Sequence, residues 1–559
     1  MVSTFARLTA GLVLLPAICA VAQAAEPVRV LDGFDDPSTW RVVTSNQVSG
    51  ALRSVAGVEG KGLCLDYDFN GVSGHAGIQR DLVLEYPANY QFAFQLRGDS
   101  PRNDLQFKLI DASGDNVWWV NRPKYDFPTA WTPVRYKTRH IDKAWGPDPD
   151  RVLRRSVRLE YTVYNNAGGK GSVCFDQLTF QPLPVDDGAP LTGKASANAA
   201  FPAGAAPLAV DGKLDTAWSA DLHGDTDPQL TLDLGRLREF GGLVLDWKPG
   251  QHASDYLVQL SDDGLRWRDV RTVVEGNGGR DYLALPESEA RYIRLTVGDG
   301  PGASFALAGL EVKPLSFAAH PNDLIKAMAA DAPKGWFPRG FSGEQPYWTI
   351  VGLDGGREQG LIGEDGAIEI AKGGVSVEPF VQVDGRWIGW ADVQATQSLQ
   401  DGYLPIPTVA WTHPQFSLAT TAFAAGTPGD SRVVARHRLT NTGTASREYA
   451  LALAVQPWQV NPPSQFLNTT GGFSPINALA LGGGVAAVNG RASLRFTSPD
   501  AVMASRFDTG MVRERMEAME RPTAKTSSVD GDATGLASGA VLYRFTLAPG
   551  ESREIDWVA

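Results

Sequence analysis

The stretch AVDGKLDTAW at positions 209–218 decides the fold of this chain. An apolar strand end runs into Asp211-Gly212 and a Lys-Leu-Asp turn, after which Thr216 and Trp218 follow. Three further motifs come downstream, namely TLDLG (231–235), SDDGLRW (261–267) and RYIRLTV (291–297). Because they occur in this order within a short span, the four motifs together mark one module at residues 190–315.

The four motifs resemble those of the discoidin, or coagulation-factor V/VIII C-type, β-sandwich. The resemblance implies a module that binds sugars or membranes and performs no chemistry. The exposed apolar spikes of membrane-binding relatives are not evident here, so the resemblance favours sugar. Family position also suggests His223, Trp247 and Arg294 in the variable loops as sugar contacts.

The same resemblance implies a structural calcium ion near the VDGKLDTAW turn. Its ligands would be Asp211 and Thr216 from the turn and Glu311 from the final strand. Oxygen ligands of this kind suit a hard cation. An Asx turn that hydrogen-bonds its own backbone would need no metal, and this alternative stays open.

The first 25 residues have the pattern of a secretory signal. Arg7 precedes an apolar segment from Leu8 to Val21, and Ala22-Gln23-Ala24 forms a small-residue cleavage site. No later stretch reaches the roughly 20 uncharged apolar residues that span a bilayer. We therefore expect a secreted or periplasmic protein without a transmembrane segment.

Composition and charge restrict the fold and the partners. The chain has 559 residues, which at ~100–200 residues per domain predicts three or four domains. Its 60 Gly and 36 Pro, with few long apolar-periodic runs, favour β-sandwiches. The net charge of −12 argues against nucleic acid and anionic lipid as partners and is compatible with a neutral poly- or oligosaccharide.

Residues 26–185 alternate strand-like runs with turns, and LQFKLI and RLEYTVY have the period-2 pattern of sheets with one buried face. A Pro/Asp/Gly-rich linker follows at 182–193. Cys64 and Cys174 lie in an early and a late strand of this module. They either form a disulfide in an oxidising compartment or remain two buried thiols.

Aromatic residues are dense in this first module, which suggests a carbohydrate-binding face. Sugar rings stack on Trp and Tyr while polar neighbours hydrogen-bond the hydroxyl groups, although Trp also fills sandwich cores. In WWV the adjacent side chains point to opposite faces, so one of the two Trp belongs to the core. The candidate sugar-binding residues are Trp118, Trp119, Asn121, Arg122, Tyr125, Trp145 and Tyr164.

The two ends of the first module, LDGFDDPSTW (31–40) and VCFDQLTF (173–180), resemble jelly-roll carbohydrate-binding domains. Such domains often hold a structural calcium between these segments, which implies Asp35 and Asp176 as ligands. A solvated Asp in a turn is the alternative.

Residues 320–559 form a third, β-rich region that begins with a short helix at 321–332, which Asn322 or Asp323 can cap. Runs such as 347–369 and 377–393 resemble the β-supersandwich that precedes the (α/α)6 toroid of disaccharide phosphorylases and debranching-type glycosidases. The family's catalytic carboxylates lie in that toroid, for which there are no residues before Ala559. A helical toroid would therefore be a separate or additional catalytic partner.

We therefore expect a mainly β protein of three consecutive β-sandwich modules. These are two galactose-binding-like jelly rolls at 26–185 and 190–315, and a larger β-supersandwich at 320–559. The expected function is a secreted multi-module carbohydrate-binding protein, non-catalytic by itself and accessory to a glycoside-active protein.

Two alternatives remain. One is a glycoside hydrolase or polysaccharide lyase with its site in the third region, for which the available residues are Glu358, Asp365, Tyr347, Tyr403, His413 and Arg436. The other is a structural or adhesive envelope protein. The sequence contains no zinc-type histidine spacing, nucleophile elbow, P-loop or Rossmann fingerprint.

Overall fold

The computed structural model describes residues 27–185, 187–201, 204–224, 226–465, 470–518 and 521–559. The described chain divides into two compact units, one ending at Ala189 and the other spanning Pro190–Ala559. The expected signal segment, residues 1–25, lies outside the described residues. Among the helices that are described, none has the length and apolar character needed to cross a membrane.

The first unit is a sandwich of two antiparallel six-stranded sheets. Its strands are β1 (Arg29–Asp32), β2 (Arg41–Thr44), β3 (Ser49–Ala56), β4 (Lys61–Asp68), β5 (His75–Glu85), β6 (Tyr90–Asp99), β7 (Asp104–Ile110), β8 (Val117–Arg122), β9 (Thr132–Lys137), β10 (Asp142–Trp145), β11 (Arg155–Tyr164) and β12 (Lys170–Pro182). One sheet has the order β3-β4-β12-β6-β9, with β1 also paired to β12. The other has the order β10-β8-β7-β11-β5-β2.

Aromatic rings fill the space between these two sheets. Tyr161 and Phe175 stack with ring centroids 4.1 Å apart, and Phe94 meets Tyr161 edge-on at 5.0 Å. All three rings are buried, as the period-2 pattern of the strands requires for side chains on the inner face. Cys64 of β4 and Cys174 of β12 are paired in register and joined by a disulfide.

The second unit begins with a seven-stranded antiparallel sheet that contains the AVDGKLDTAW motif at its edge. Its strands are β13 (Lys194–Ala197), β14 (Trp218–Asp221), β15 (Gln229–Trp247), β16 (Asp255–Ser261), β17 (Arg268–Val273), β18 (Arg280–Asp299) and β19 (Ser304–Lys313). Their order is β14-β19-β15-β18-β16-β17, with β13 on β15. Trp218, the last residue of the motif, begins β14, is fully buried and donates its indole N–H to the Ala199 carbonyl.

The remainder of the second unit contains helix α1 (Pro321–Asp331), helix α2 (Val512–Glu517) and two large sheets. The strands are β20 (Trp348–Gly352), β21 (Gln359–Gly363), β22 (Ile368–Glu369), β23 (Ser376–Val383), β24 (Arg386–Ile388), β25 (Gln394–Gln400), β26 (Leu404–His413), β27 (Phe416–Thr427), β28 (Asp430–Asn441), β29 (Arg447–Gln456), β30 (Leu479–Gly482), β31 (Val485–Val488), β32 (Arg491–Phe496), β33 (Ala501–Ser505), β34 (Thr526–Val529), β35 (Ser538–Leu547) and β36 (Ser552–Val558). The eight-stranded sheet has the order β20-β21-β22-β23-β29-β35-β33, with β24 on β23. The nine-stranded sheet has the order β25-β26-β27-β28-β36-β32-β31-β30-β34.

Short 3-10 turns connect the strands of both units. They lie at Pro37–Thr39, Thr138–His140, Ala206–Ala209, Leu315–Phe317, Arg339–Phe341 and Trp390–Asp392. The sheets confirm the expected mainly β fold of sandwich modules.

Helix α1 begins at Pro321, the expected first residue, but its N-cap lies before both expected cap residues. His320 is the N-cap, and its Nδ1 accepts the backbone N–H of Asn322 at 3.1 Å. The Asp323 carboxylate in turn accepts the His320 backbone N–H, so this residue completes a capping box from the third position. The expectation that Asn322 or Asp323 is the cap was therefore wrong.

The seven-stranded sheet and the following region share one apolar cluster, which explains why they form a single unit. Val244 of β15, Ile325 and Met328 of α1, Trp458 and Met511 all belong to it, and all are buried. The segment between 315 and 320 is therefore a connection within a packed unit. The sequence-based prediction separated the two regions, because long-range contacts of this kind leave no local pattern in the sequence.

Candidate functional site

The outer face of the second sheet of the first unit carries a row of paired polar and aromatic residues. Directly opposed residues of antiparallel strands share a face, so register alone brings them together. The row crosses six strands, from β10 to β2, through Asp142, Trp119, Lys108, Glu160, Gln79 and Arg41. We call these six residues the polar row.

Hydrogen bonds join the central members of the polar row into a network. The Lys108 Nζ donates to Glu160 Oε1 at 2.9 Å and to the Thr162 hydroxyl at 3.1 Å. Gln79 Nε2 donates to the other oxygen, Glu160 Oε2, at 2.7 Å. The Thr162 hydroxyl donates to Glu160 Oε1 at 2.6 Å. Both carboxylate oxygens of Glu160 are therefore occupied, which fixes the side chain.

This network is buried although it lies outside the apolar core. Lys108 is 8% exposed and Glu160 is 7% exposed. Burial by itself would raise the pKa of the Glu160 carboxyl, but the Lys108 ammonium, Thr162 and Gln79 together hold it below its ordinary value. Glu160 is therefore a carboxylate at neutral pH, and the face has rigid, charged acceptors and donors at its centre.

Aromatic side chains stand on the same face at both ends of this network. Trp119 and Trp145 meet edge-to-face with centroids 5.5 Å apart, and the Lys108 Nζ lies 6.0 Å from the Trp145 ring. Trp145 is 49% exposed. Tyr164, which follows Glu160 and Thr162 on the same side of β11, is 41% exposed. Two exposed aromatic positions thus flank a polar floor.

Gly77 leaves a shallow depression in this face, because it has no side chain between the flanking aromatic positions. It lies in the row next to the polar row, paired with Thr162, and no side chain projects there between His75 and Gln79. A Cβ at this position would lie 2.7 Å from the Tyr161 carbonyl oxygen, so the backbone packing excludes any larger residue. Burial lowers the pKa of His75, which keeps its imidazole neutral at physiological pH.

The structure brings four of the seven expected sugar-binding residues to this face, namely Trp119, Asn121, Trp145 and Tyr164. Asn121 belongs to the row of Gly77, since it pairs with Gln106 and Gln106 pairs with Thr162.

The other three expected residues lie elsewhere. Trp118 is 4% exposed, lies in the core and donates its indole N–H to the Arg151 carbonyl, so it cannot contact a ligand. Arg122 belongs to the opposite face of β8, with its guanidinium 5.8 Å from the Tyr136 ring. Tyr125 packs against the edge of the core beside Phe127. The burial of Trp118 contradicts its expected contact with sugar, whereas the contacts expected of Arg122 and Tyr125 stay predictions that this face does not include.

Sequence reasoning missed the polar residues of the face, of which Lys108, Glu160, Thr162, Gln79 and Gln106 are buried. The signal for most of them was present. They are the polar members of the alternating runs LQFKLI and RLEYTVY, whose apolar members face the core. The pattern indicated a solvated side, and only the strand register showed that this side is a connected network.

The turn at Asp211 gathers oxygen atoms. The Thr216 hydroxyl lies 2.9 and 3.0 Å from the two Asp211 carboxylate oxygens and 3.0 Å from the Lys213 carbonyl oxygen. Asp211 also accepts the Lys213 backbone N–H, as an Asx turn does. Glu311, the third expected ligand, pairs instead with Lys313 at 2.9 Å. The oxygen atoms of Asp211, Thr216 and the Lys213 carbonyl suit a hard cation, whereas among the described residues no hydrogen bond or ion pair joins Glu311 to them.

Asp35 and Asp176 clamp one loop of the first unit. Asp176 is fully buried and accepts the backbone N–H groups of Val58, Glu59 and Gln177. Asp35 accepts the Lys61 backbone N–H at 2.8 Å. These bonds give both carboxylates a structural role, and the calcium expected there stays a prediction. Across the described residues, no group of three or more His, Cys, Asp or Glu side chains lies close enough together to share a metal ion.

The loop positions suggested for the discoidin-like module lie in different environments. Trp247 is buried and donates its indole N–H to Asp281, which corrects its expected role. The Arg294 guanidinium lies 4.0 Å from the Trp267 ring centroid and donates to Gln259. His223 is exposed in the loop after β14.

The residues considered for catalysis in the third region are not assembled. Asp365 is held by Arg339 with both oxygens at 2.9 Å, and burial raises its pKa to about 6. The other five, Glu358, Tyr347, Tyr403, His413 and Arg436, lie on separate turns and strands. Within the described part of the chain, no hydrogen bond or ion pair joins any two of the six.

Comparison with known proteins agrees with the expected second module. Residues 192–309 match the model of the F5/8 type C domain, which confirms the resemblance to the discoidin family. No curated protein matches the chain.

Several solved structures resemble parts of the chain. One is chitosan-binding module 2 of the chitosanase/glucanase from Paenibacillus sp. IK-5, with 22% identity over 22% of this chain and 97% of that chain, at a TM-score of 0.21. Another is the family 32 CBM of NanJ from C. perfringens, with 21% identity over 21% of this chain and 91% of that chain, at 0.20. A third is the family 11 carbohydrate-binding module of the cellulase Lic26A-Cel5E from Clostridium thermocellum, with 14% identity over 29% of this chain and 98% of that chain, at 0.25.

Proposed function

We propose that this protein binds an oligosaccharide along the outer face of the second sheet in its first unit. The observation that carries this proposal is the presence of Trp119, Trp145 and Tyr164 on the same face as the polar row. The rings offer stacking surfaces to sugar rings, and the fixed carboxylate, amide and ammonium groups between them match hydroxyl groups. No reaction is required of this arrangement.

The separation of the aromatic positions favours an extended ligand. Trp119 and Tyr164 are two strands apart and lie four residues apart along the strand direction, since Trp119 is in the row of Glu160. With ~4.8 Å between strands and ~3.3 Å per residue, their Cα atoms are roughly 16 Å apart. A single sugar ring cannot contact both, so we expect affinity to rise with chain length until both positions are occupied.

Exposed aromatic residues allow a direct test with little effect on folding. Trp145→Ala and Tyr164→Ala remove the two exposed rings at the ends of the face. Tyr403→Ala is the matched control, because Tyr403 is 74% exposed in the third region, far from this sheet in sequence. Binding of neutral oligosaccharides of increasing length is measured by isothermal titration calorimetry with the full chain.

We expect each of the two variants to weaken binding of the longest bound oligosaccharide about tenfold, which matches the loss of one stacking contact. Tyr403→Ala is expected to bind as the unmodified chain does. Equal affinity for all three variants would overturn the proposal, as would an affinity that is independent of oligosaccharide length.

We further propose that the protein acts outside the cytoplasm as an accessory to a separate glycoside-active partner. The signal-like segment 1–25 supports export, and sequencing the amino terminus of the exported protein tests it. Calcium at the Asp211 turn is proposed from the three oxygen donors of Asp211, Thr216 and Lys213. Chelation with EDTA should then lower the melting temperature of the second unit, and added calcium should restore it.

A further inference from the structure

A cavity of about 340 Å³ opens inside the second unit. Four parts of the chain line it, namely Tyr256 of β16, the end of β17 and the start of β18 with the loop between them, the C-terminal end of α1 with the following turn, and residues of the segment 507–514. Its volume lies within the range of small-molecule sites. None of its lining residues belongs to the sugar-binding face proposed above.

Specific bonds hold two of these walls together. The Arg271 guanidinium pairs with Asp508 at 2.5 Å, and the Asn277 backbone N–H donates to the Asp508 carbonyl at 3.3 Å. The cavity is therefore bounded by segments that are fixed to one another within one compact unit.

Aromatic side chains form a large part of the lining. Tyr256 and Tyr282 come from the seven-stranded sheet, Trp336 and Phe337 follow α1, and Phe507 precedes α2. Ring faces attract cations and also pack against the apolar body of a ligand. These side chains come from four separate segments of the chain.

Acidic groups dominate the charge of the lining. Four carboxyl side chains line the cavity, Asp281, Asp331, Asp508 and Glu514, against the single guanidinium of Arg280. Asp508 has Arg271 as its counter-ion, and Asp331 has Arg280 at 3.2 Å. Among the residues that the structure describes, the other two carboxyl groups, those of Asp281 and Glu514, have no such partner.

Asp281 and Glu514 have hydrogen-bond donors but no counter-ion. Asp281 Oδ2 accepts from the Trp247 indole at 2.8 Å and from the Tyr256 hydroxyl at 2.7 Å. Glu514 Oε2 accepts the Met511 backbone N–H at 3.0 Å. Within the described residues, no Lys, Arg or His forms an ion pair with either carboxyl group. A carboxylate that lines a cavity without a counter-ion carries a desolvation cost, and a bound cation would offset part of that cost.

We propose that this cavity binds a compact organic ammonium ion, with the ring or chain of the ligand against the aromatic walls and its ammonium group between Asp281 and Glu514. A primary ammonium group fits best, because its three N–H donors match the carboxylate oxygens. The ligand's body must be small enough for a cavity of about 340 Å³.

The probe is cyclohexylamine, and its neutral control is cyclohexanol, which has a similar size and shape. Binding to the full chain is measured by isothermal titration calorimetry at pH 7.5, where the amine is protonated. Asp281→Asn and Glu514→Gln each remove one negative charge from the cavity and keep an oxygen acceptor. Glu554→Gln removes one negative charge from β36, outside the cavity, and is the matched control.

We expect cyclohexylamine to bind at least about tenfold more tightly than cyclohexanol, which is the effect of one charge-assisted contact. Each cavity variant should weaken cyclohexylamine binding about tenfold, whereas Glu554→Gln should leave it unchanged. If Asp281→Asn fails to fold, Glu514→Gln decides alone, since Glu514 is solvent-accessible. Equal binding of the two probes, no binding of either, or an equal loss in Glu554→Gln would overturn the proposal.

Oligosaccharide binding by the first unit should be the same in all three variants. The cavity and the sugar-binding face share no residue, so one proposal can fail while the other stands.

Discussion

Breaking the buried ion pair of the polar row should destabilise the first unit strongly, whereas removing both partners should not. In Glu160→Gln the amide replaces a carboxylate that accepts hydrogen bonds at both oxygens. Lys108 and Thr162 donate to Oε1, and Gln79 donates to Oε2. An amide has only one oxygen, so its NH2 group faces either the Lys108 ammonium or the Gln79 amide. The variant loses one hydrogen bond and leaves the ammonium of Lys108 buried without its counter-ion.

The magnitude follows from the burial of both groups. Their side chains are only 10% and 9% exposed, so solvent screens little of the lost interaction. Removing one partner of a buried pair costs about 3–5 kcal/mol. Lys108→Met leaves a buried carboxylate that still has Thr162 and Gln79, and we expect about 2–3 kcal/mol, near the cost of a charged group left unsatisfied.

The double variant Lys108→Met/Glu160→Gln should be within about 1 kcal/mol of the unmodified chain. Without the ammonium, the amide oxygen can accept from Gln79 while its NH2 group donates to the Thr162 hydroxyl, so each polar group has a partner. The two substitutions should therefore be strongly non-additive.

The assay is urea unfolding of the full chain followed by hydrogen exchange, read on peptides from β7 and β11. Asp66→Asn is the control, because the Arg53–Asp66 pair on the other sheet is half-exposed and should contribute at most about 1 kcal/mol. A double variant as unstable as the sum of the single variants would refute the reasoning, since the two charges would then not compensate one another.

Two further predictions concern the disulfide and a buried histidine. Cys64→Ala/Cys174→Ala opens a loop of 110 residues and should lower the stability of the first unit by up to about 5 kcal/mol, measured as a lower melting temperature that a reducing agent reproduces in the unmodified chain. His437 of β28 is buried between Thr420 and Trp557, and burial lowers its pKa to about 3. Because the unfolded histidine binds a proton below its ordinary pKa of 6.5 while the folded one does not, stability is lost as the pH falls below 6.5. Between pH 7 and pH 5 the unmodified chain should lose up to about 2 kcal/mol relative to His437→Gln in calorimetric unfolding, and parallel pH profiles of the two proteins would contradict this.

Local patterns predicted the type of each module but not the contacts between strands. The run RLEYTVY showed which side chains of β11 leave the core, because alternation depends only on neighbouring residues. The polar row depends on the pairing of six strands, and bulges next to Arg158 and Trp145 shift that pairing. A sequence does not show where such a shift occurs, so Lys108 and Glu160 could not be matched in advance.

The two Trp of WWV show the same limit on a smaller scale. Alternation required one of them to be in the core, but the choice between Trp118 and Trp119 depends on which face of β8 meets the other sheet. Trp247 was misplaced for a related reason, since its partner Asp281 is 34 residues away in the chain. Cys64 and Cys174 are similarly distant, and only strand pairing brings them together.

The apolar cluster around Val244, Ile325 and Trp458 has a practical consequence for handling this protein. A fragment that stops near residue 315 would keep the complete seven-stranded sheet yet remove the residues after it that share an apolar cluster with Val244 of β15. Such a fragment should aggregate or require detergent, although its sequence matches a recognised module. For expression and domain exchange, the natural place to cut the chain is therefore near residue 189, and the rest is best produced as one piece.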